Sequence, residues 1–388
     1  MNAKYYMPTR VVAGSGCVRE SAALLKRLGS RALVMTGARS ARQNGALADV
    51  EAALDSQGIG HELFDRVEAN PGIGNCREAA RAAIEAGAEF VVGIGGGSPL
   101  DAAKVAALMA RDELPGAEVF GGAYPKGALP VVAVPTTAGT GSEVTQYAIL
   151  TNDAIESKTS VSSDLIFPAL AFLDAKYTAT LSARAAASTA MDALSHAVES
   201  YLSLRSDELS RAAAREALRL LGRAMPSLAA AAAAAAADEA ARWDLLIGSN
   251  LAGAAIAQSG TTVVHAMGYS LTYFKGIEHG RANGLLLGAY LEFIEGERPR
   301  EVREVLDALG WRDSAAFRGV LDSLLGEREG LDEAELEKFS AMAAAAKHAL
   351  YTARKTGAAE VRRIFEDSMR RSARGGSGGA SAARGAGR

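Results

Sequence analysis

The sequence predicts an α/β domain built on a parallel sheet, followed by an all-helical domain, and two observations carry that expectation. From the start to about residue 180, short apolar β-rich runs alternate with alanine-rich helical runs. From LSARAAASTAMDALSHAVESYLS onward the apolar spacing is helical throughout. Apolar strands that alternate with helices imply parallel pairing, with both sheet faces covered. A helical run without strands must bury its apolar stripes helix against helix. Length agrees, because a single core rarely grows past about 250–300 residues and the chain has 388. The expected division is 1–180, 181–371 and a disordered tail at 372–388.

The strands expected in the first part are ALVMTG (32–37), HELFDRV (61–67), EFVVGIGGG (89–97) and LPVVAVP (129–135), followed by the shorter YAILT (147–151), TSVSS (159–163) and LAFLDA (170–175). Helices are expected at 76–88 and 98–112. The alanine run Ala229–Ala237 forms helix readily but offers little to bury, so it is expected as an exposed connection between helices. The last helix is expected at 358–371, with Val361, Ile364 and Phe365 on one face. The Gly/Ser/Ala/Arg composition of the tail cannot support a core.

Composition removes several classes of function. A net charge of −3 with no long charged block gives no footing for nucleic acid or an anionic membrane. Cys17 and Cys76 stand in no CxxC pattern and beside no histidine, so neither a thiolate metal site nor a disulfide scaffold is expected. MNAKYYMPTRVVAG has no continuous apolar stretch, and no run is long enough to span a membrane. The expectation is a soluble cytoplasmic protein.

Three constellations carry chemistry. Gly95, Gly96, Gly97 and Ser98 end an apolar strand and open a helix with Pro99 in its first turn. Glycines let a phosphate approach the backbone, and the helix start offers free N–H groups. The pattern is not the GxGxxG of the common dinucleotide fold. Pro135–Glu143 follows the next strand with alternating hydroxyls and glycines, which suits either a ligand wall or a helix cap. The third constellation is histidine. Only five occur, and His61 and His348 sit in ordinary strand and helix contexts. Asp192 and His196 are spaced i, i+4 and share one helix face. His265 and His279 follow, separated by a glycine-containing loop. One carboxylate and three imidazoles suit a borderline divalent metal that keeps room for a substrate oxygen.

GGGSPLDAAK (95–104), PTTAGTGSEVT (135–145), MDALSHAVESY (191–201) and HAMG…HGRANG (265–284) resemble, in order and spacing, the iron-containing (group III) alcohol dehydrogenases. The likeness runs from about residue 5 to 370. It implies a dinucleotide-binding α/β domain, a helical metal-binding domain and an active site in the cleft between them. Asp192, His196, His265 and His279 would ligate Fe²⁺, or Zn²⁺ as in some members. Gly95, Gly96, Gly97 and Ser98 would hold the pyrophosphate; Asp101, Thr136, Thr137, Thr140 and Ser142 would line the dinucleotide site. The reaction implied is hydride transfer between NAD(P)(H) and a small alcohol or aldehyde, in a homodimer or larger assembly.

Two positions depart from many members. Where NAD-using relatives carry a carboxylate for the adenosine ribose, this chain has Gly37, and Arg39 and Ser40 could donate to a 2′-phosphate, so NADP(H) is expected over NAD(H). Tyr269 stands where many members place a further histidine assigned to proton relay, and tyrosine exchanges protons less readily near neutrality. The substrate pocket is expected from Asn70-Pro71, Tyr147–Thr151, Ala254–Thr262 and Tyr269–Phe274, with Lys158 or Lys275 as anchors for an anionic group. The competing readings are a metal-dependent lyase or cyclase resembling 3-dehydroquinate synthase, a maleylacetate reductase-like enzyme, and a non-catalytic nucleotide and metal sensor.

Overall fold

The computed structural model describes residues 3–369, apart from 113, 115 and 235–237. Eight strands form among these residues: β1 (Arg10–Ala13), β2 (Arg31–Thr36), β3 (Gly60–Phe64), β4 (Phe90–Gly95), β5 (Val131–Pro135), β6 (Tyr147–Asn152), β7 (Ser157–Ser162) and β8 (Leu170–Leu173). Six make one parallel sheet in the order β1-β8-β5-β4-β2-β3. β6 and β7 leave it and pair with each other as an antiparallel hairpin. β1 has no counterpart among the strands expected from sequence. It is four residues long, lies at the sheet edge and is mostly exposed, so it carries no apolar run to betray it.

Strand side chains alternate between two cores, as a period of two requires. Leu33, Met35, Val91 and Val131 face one side, and Val34, Val92, Val132 and Phe172 the other. Taking the helices of eight or more residues in chain order, α1 (Ala46–Ser56) covers the second side, while α2 (Ile73–Glu85) and α3 (Gly97–Asp112) cover the first.

After β8 the chain is helical: α4 (Ala183–Leu202), α5 (Glu208–Ala234), α6 (Glu239–Ser259), α7 (Val263–Lys275), α8 (His279–Glu295), α9 (Pro299–Leu309), α10 (Ser314–Leu325), α11 (Glu333–Ala345) and α12 (Ala358–Met369). The Ser182 hydroxyl accepts from Ala185 N (3.2 Å) and starts α4. From Ala190 onward every residue of α4 is buried, and α5, α6 and α8 pack around it. The alanine run is not a free connection, because Ala229–Ala234 prolong α5; 235–237 lie outside the described residues. So do the last two residues of the helix expected at 358–371 and the whole tail. No described helix is long and apolar enough to cross a membrane.

The two parts meet backbone to backbone at two glycines. Gly141, in the loop after β5, has φ +60°. A Cβ built there would lie 2.5 Å from Gly253 Cα on α6, and one on Gly253 would lie 2.7 Å from Gly141 Cα. Backbone touches backbone, so neither side can yield by rotating a side chain. Gly253→Ala is therefore expected to lower stability by about 1–3 kcal/mol through overpacking, read by thermal or urea unfolding. An unchanged unfolding curve would show that α6 and the loop have room to part.

Candidate active site

The carboxyl ends of β4 and β5 and the middle of the helical part face each other across a cleft of about 820 Å³. Asn70, Ser98 and Thr140 line it from the sheet side, and Asp192, His265 and His279 from the helical side.

Three helices build the deep wall. Asp192 and His196 project from one face of α4, His265 from the first turn of α7, and His279 opens α8. One oxygen of Asp192 lies 3.7 Å from His265 Nε2, 3.7 Å from His279 Nε2 and 4.0 Å from His196 Nε2. These separations exceed hydrogen bonds and suit neighbouring ligands around an ion with bonds of about 2.0–2.2 Å. Ligand atoms of Asp192, His265 and His279 lie within 4.8 Å of one another. His196 stands slightly back, its ring stacked on His265 at 4.6 Å.

The ring tautomers follow from what the other nitrogens touch. His196 Nδ1–H donates to the Gly139 carbonyl (3.3 Å) and His265 Nδ1–H to the buried Glu199 carboxylate. Each contact leaves an Nε2 lone pair turned inward. Glu199 also accepts from Thr262 N (2.8 Å) and Thr262 Oγ1 (2.7 Å). Burial disfavours charge on all three rings. It pushes His279 down to about 3 and lowers His196, while at His265 the Glu199 and Asp192 carboxylates together outweigh burial and raise it. Asp192 stays below the usual carboxylate range, since the three histidines and Asn283 more than offset its burial. The donor set of one carboxylate and inward-facing imidazole nitrogens fits a divalent cation.

Several members of this wall escaped the sequence reading. Glu199 lies three residues after His196 on the face already marked by Asp192, a periodicity that could have found it. Asn283, one turn after His279, donates its amide to Asp192 (3.1 Å). His348 is not an ordinary helix residue: it lines the cleft and meets the Tyr269 ring edge-on at 5.9 Å. Burial pushes it down to about 4. Tyr269 in turn stacks on His279 (5.4 Å), and burial raises its hydroxyl above the ordinary phenol range.

On the sheet side, Gly95 ends β4 at φ +153°, and a Cβ there would lie 2.4 Å from the Pro99 ring. Cβ atoms on Gly96 and Gly97 would lie 3.2 Å from Thr137 and 2.7 Å from Thr140. The two Gly/Thr loops thus press together, and α3 opens into the cleft at Gly97 and Ser98. Asp101 reaches the cleft but is held there, accepting from Ser142 Oγ (2.6 Å) and Ile149 N (2.9 Å). Thr136 is buried in the β4–β5 pairing, its N–H bonded to the Gly95 carbonyl (2.9 Å). Gly37, Arg39 and Ser40 lie past the end of β2, beside β4, and outside the cleft lining. Of the expected pocket segments, Asn70, Tyr147, Ile149, Ile256, Gly260, Thr261 and Tyr269 line the cleft. Tyr273 instead turns its hydroxyl to Asp153. Lys158 is in the cleft, whereas Lys275 pairs with Glu335 (2.6 Å) outside it.

A buried lysine organises this side. Lys104 donates to Ser142 Oγ (2.8 Å), Thr145 O (2.9 Å) and Tyr147 O (2.7 Å). Burial pushes it down to about 8, with Asp101 and Glu143 opposing that shift. Lys104→Met removes the buried charge that faces both of those carboxylates and is expected to cost about 3–5 kcal/mol, measured by urea unfolding. A loss below about 1 kcal/mol would mean that Asp101 and Glu143 are protonated in the fold.

With this geometry in place, similarity to known proteins becomes informative. The family model described as iron-containing alcohol dehydrogenase matches residues 8–175, and that of the family's C-terminal region matches 186–370. Long-chain-alcohol dehydrogenase 1 of Geobacillus thermodenitrificans is 31% identical over 316 residues, covering 80% of this chain and 78% of the relative. The crystal structure of an iron-containing alcohol dehydrogenase from Thermotoga maritima superposes with a TM-score of 0.87 at 38% identity, covering 94% of this chain and 99% of that one. Sulfoacetaldehyde reductase from Bifidobacterium kashiwanohense, solved in complex with NAD+, gives 0.83 at 27% identity, covering 95% and 99%. Two adjoining family models that together span nearly all of the described residues leave one conclusion: the chain belongs to the iron-containing alcohol dehydrogenase family, and it is an oxidoreductase of the alcohol dehydrogenase and aldehyde reductase class.

Proposed function

We propose that the protein reduces a small aldehyde, or oxidises the matching alcohol, with one divalent metal held by Asp192, His196, His265 and His279 and with NADP(H) preferred over NAD(H). The observation that carries the metal assignment is the meeting of three imidazole Nε2 atoms around one buried carboxylate oxygen. Fe²⁺ is favoured by the family, and Zn²⁺ suits the same donors. When bound, the cation supplies a Lewis acid for an alcohol or carbonyl oxygen and the dinucleotide supplies or takes the hydride.

The chain's own residues do the rest. Glu199 fixes the His265 ring, and the Asn283 amide fixes Asp192. Gly97 and Ser98 present the start of α3 to a pyrophosphate. Tyr269 keeps its proton on the phenol oxygen through neutral pH and can donate it in a hydrogen bond to an oxygen in the cleft. The absence of a carboxylate at Gly37, with exposed Arg39 beside it, supports the NADP(H) preference. Family resemblance further supports a homodimer or larger assembly. The site has no observation that favours a lyase, cyclase or sensor.

Two experiments test the reading. Chelator-stripped protein is expected to lose aldehyde-dependent NADPH oxidation and to regain it with anaerobic Fe²⁺ or Zn²⁺; full activity in verified metal-free protein would remove the metal from the mechanism. Gly37→Asp places a carboxylate against a 2′-phosphate. It is expected to lower kcat/KM for NADPH relative to NADH on the order of ten- to a hundredfold, the scale of an uncompensated like-charge contact. An unchanged ratio would assign cofactor choice elsewhere.

A further inference from the structure

The cleft is electrically lopsided. Its lining carboxylates are all engaged: Asp101 by Ser142 and Ile149, Asp192 within the histidine cluster, and Glu278 with Arg184 at 3.3 Å. Its lining cations are Lys158, Arg205 and Lys347, and none forms an ion pair among the described residues. Lys158 belongs to the sheet wall. It donates to Asn70 Oδ1 (2.5 Å), and Asn70 N donates to Ser98 Oγ (3.1 Å), which ties it to the start of α3 where the dinucleotide phosphates are proposed to sit.

Arg205 and Lys347 lie elsewhere. Arg205 is on the turn between α4 and α5, and Lys347 and Tyr351 lie on the short 3-10 segment Lys347–Tyr351. Leu204 N donates to the Tyr351 carbonyl (2.8 Å), which joins the two segments beside the cleft. The Arg205 guanidinium lies 4.8 Å over the Tyr351 ring, a contact that orients it without neutralising it. Gly260, at φ +69°, leaves the space beside it, since a Cβ there would lie 3.6 Å from an Arg205 nitrogen. The Tyr147 phenol feels Arg205, Tyr351 and, more weakly, Asp164, so β6 reaches the same corner. Elsewhere, cleft-remote arginines such as Arg223, Arg281 and Arg303 are each paired with a carboxylate. An oriented guanidinium and an ammonium, neither ion-paired among the described residues and both lining the cleft with two tyrosines, form a binding corner for an anion. Ile149 and Ile256 add apolar lining for a short aliphatic spacer.

We propose that Arg205 and Lys347, with Tyr147 and Tyr351, form an anion-binding subsite, and that the substrate is a short aldehyde or alcohol bearing a carboxylate or sulfonate at the end remote from the reacting carbon. The inference rests on the dehydrogenase reading above. It is tested with metal-loaded enzyme and NADPH or NADH on 4-oxobutanoate and sulfoacetaldehyde, against the neutral butanal and pentanal. The wild type is expected to favour at least one acid in kcat/KM by about tenfold or more, and the preferred acid identifies the head group. Arg205→Gln and Lys347→Gln are expected to raise KM for that acid roughly 10–100-fold, the scale of a lost charge-assisted hydrogen bond. Turnover of the neutral aldehydes should stay within about twofold, and both variants should melt as the wild type does, because both side chains are exposed. Calorimetric titration with succinate should show binding that Arg205→Gln weakens, a readout independent of turnover. Equal use of acids and neutral aldehydes, or equal loss of both in Arg205→Gln, overturns the subsite and leaves the dehydrogenase reading intact. No turnover of any aldehyde by loaded enzyme overturns both.

Discussion

The buried carboxylate of Asp192 is the constraint around which the helical part is arranged. A carboxylate taken out of water costs several kcal/mol unless donors or cations face it. Asp192 is almost fully buried, and what surrounds it is three imidazoles and one amide. Those groups come from α4, α7 and α8, so the helices must approach closely. The glycines of the histidine segments make that approach feasible. A Cβ on Gly280 would lie 1.9 Å from the Ser188 carbonyl, and one on Gly268 would lie 2.0 Å from Asn283. Glu199, also fully buried, is held by His265 and Thr262. Two buried carboxylates on one helix are tolerable only because the neighbouring helices bring hydrogen-bond donors to both.

The sheet side solves a comparable problem with the opposite sign. Lys104 is wholly buried, and its ammonium is satisfied by hydroxyls and carbonyls of the loop that follows β5 and by the start of β6. Asp101 closes the network through Ser142. This network holds the Thr-rich loop against the glycine loop after β4. The Gly141–Gly253 contact then fixes the same loop to α6. One loop therefore ties the strand ends to the histidine-bearing helical part through backbone contact rather than through adjustable side chains.

The cleft consequently has distinct ends. Phosphate-suited backbone N–H groups and Lys158 mark the sheet wall, imidazoles and a phenol line the centre, and an oriented arginine marks the far corner. A two-part ligand, dinucleotide on one side and a small polar molecule on the other, matches that sequence of environments better than a single large ligand would.

The sequence by itself determined the fold class, the parallel strands β2 to β5 and β8, and the placement of Asp192 and His196 on one helix face, because these rest on local periodicity and turn chemistry. It marked His265 and His279 through their rarity and their glycine-rich setting. It did not mark β1, whose four exposed edge residues carry no pattern. Nor could it give Lys104, Asn283 or the place of His348, since a lysine, an asparagine or a histidine on a helix is ordinary until another element is packed against it. The tertiary structure decided which nitrogens face Asp192, which lysine enters the cleft, and that Arg205 meets Tyr351 across 146 residues of chain. Such pairings depend on distances between elements, and no spacing along the chain encodes them.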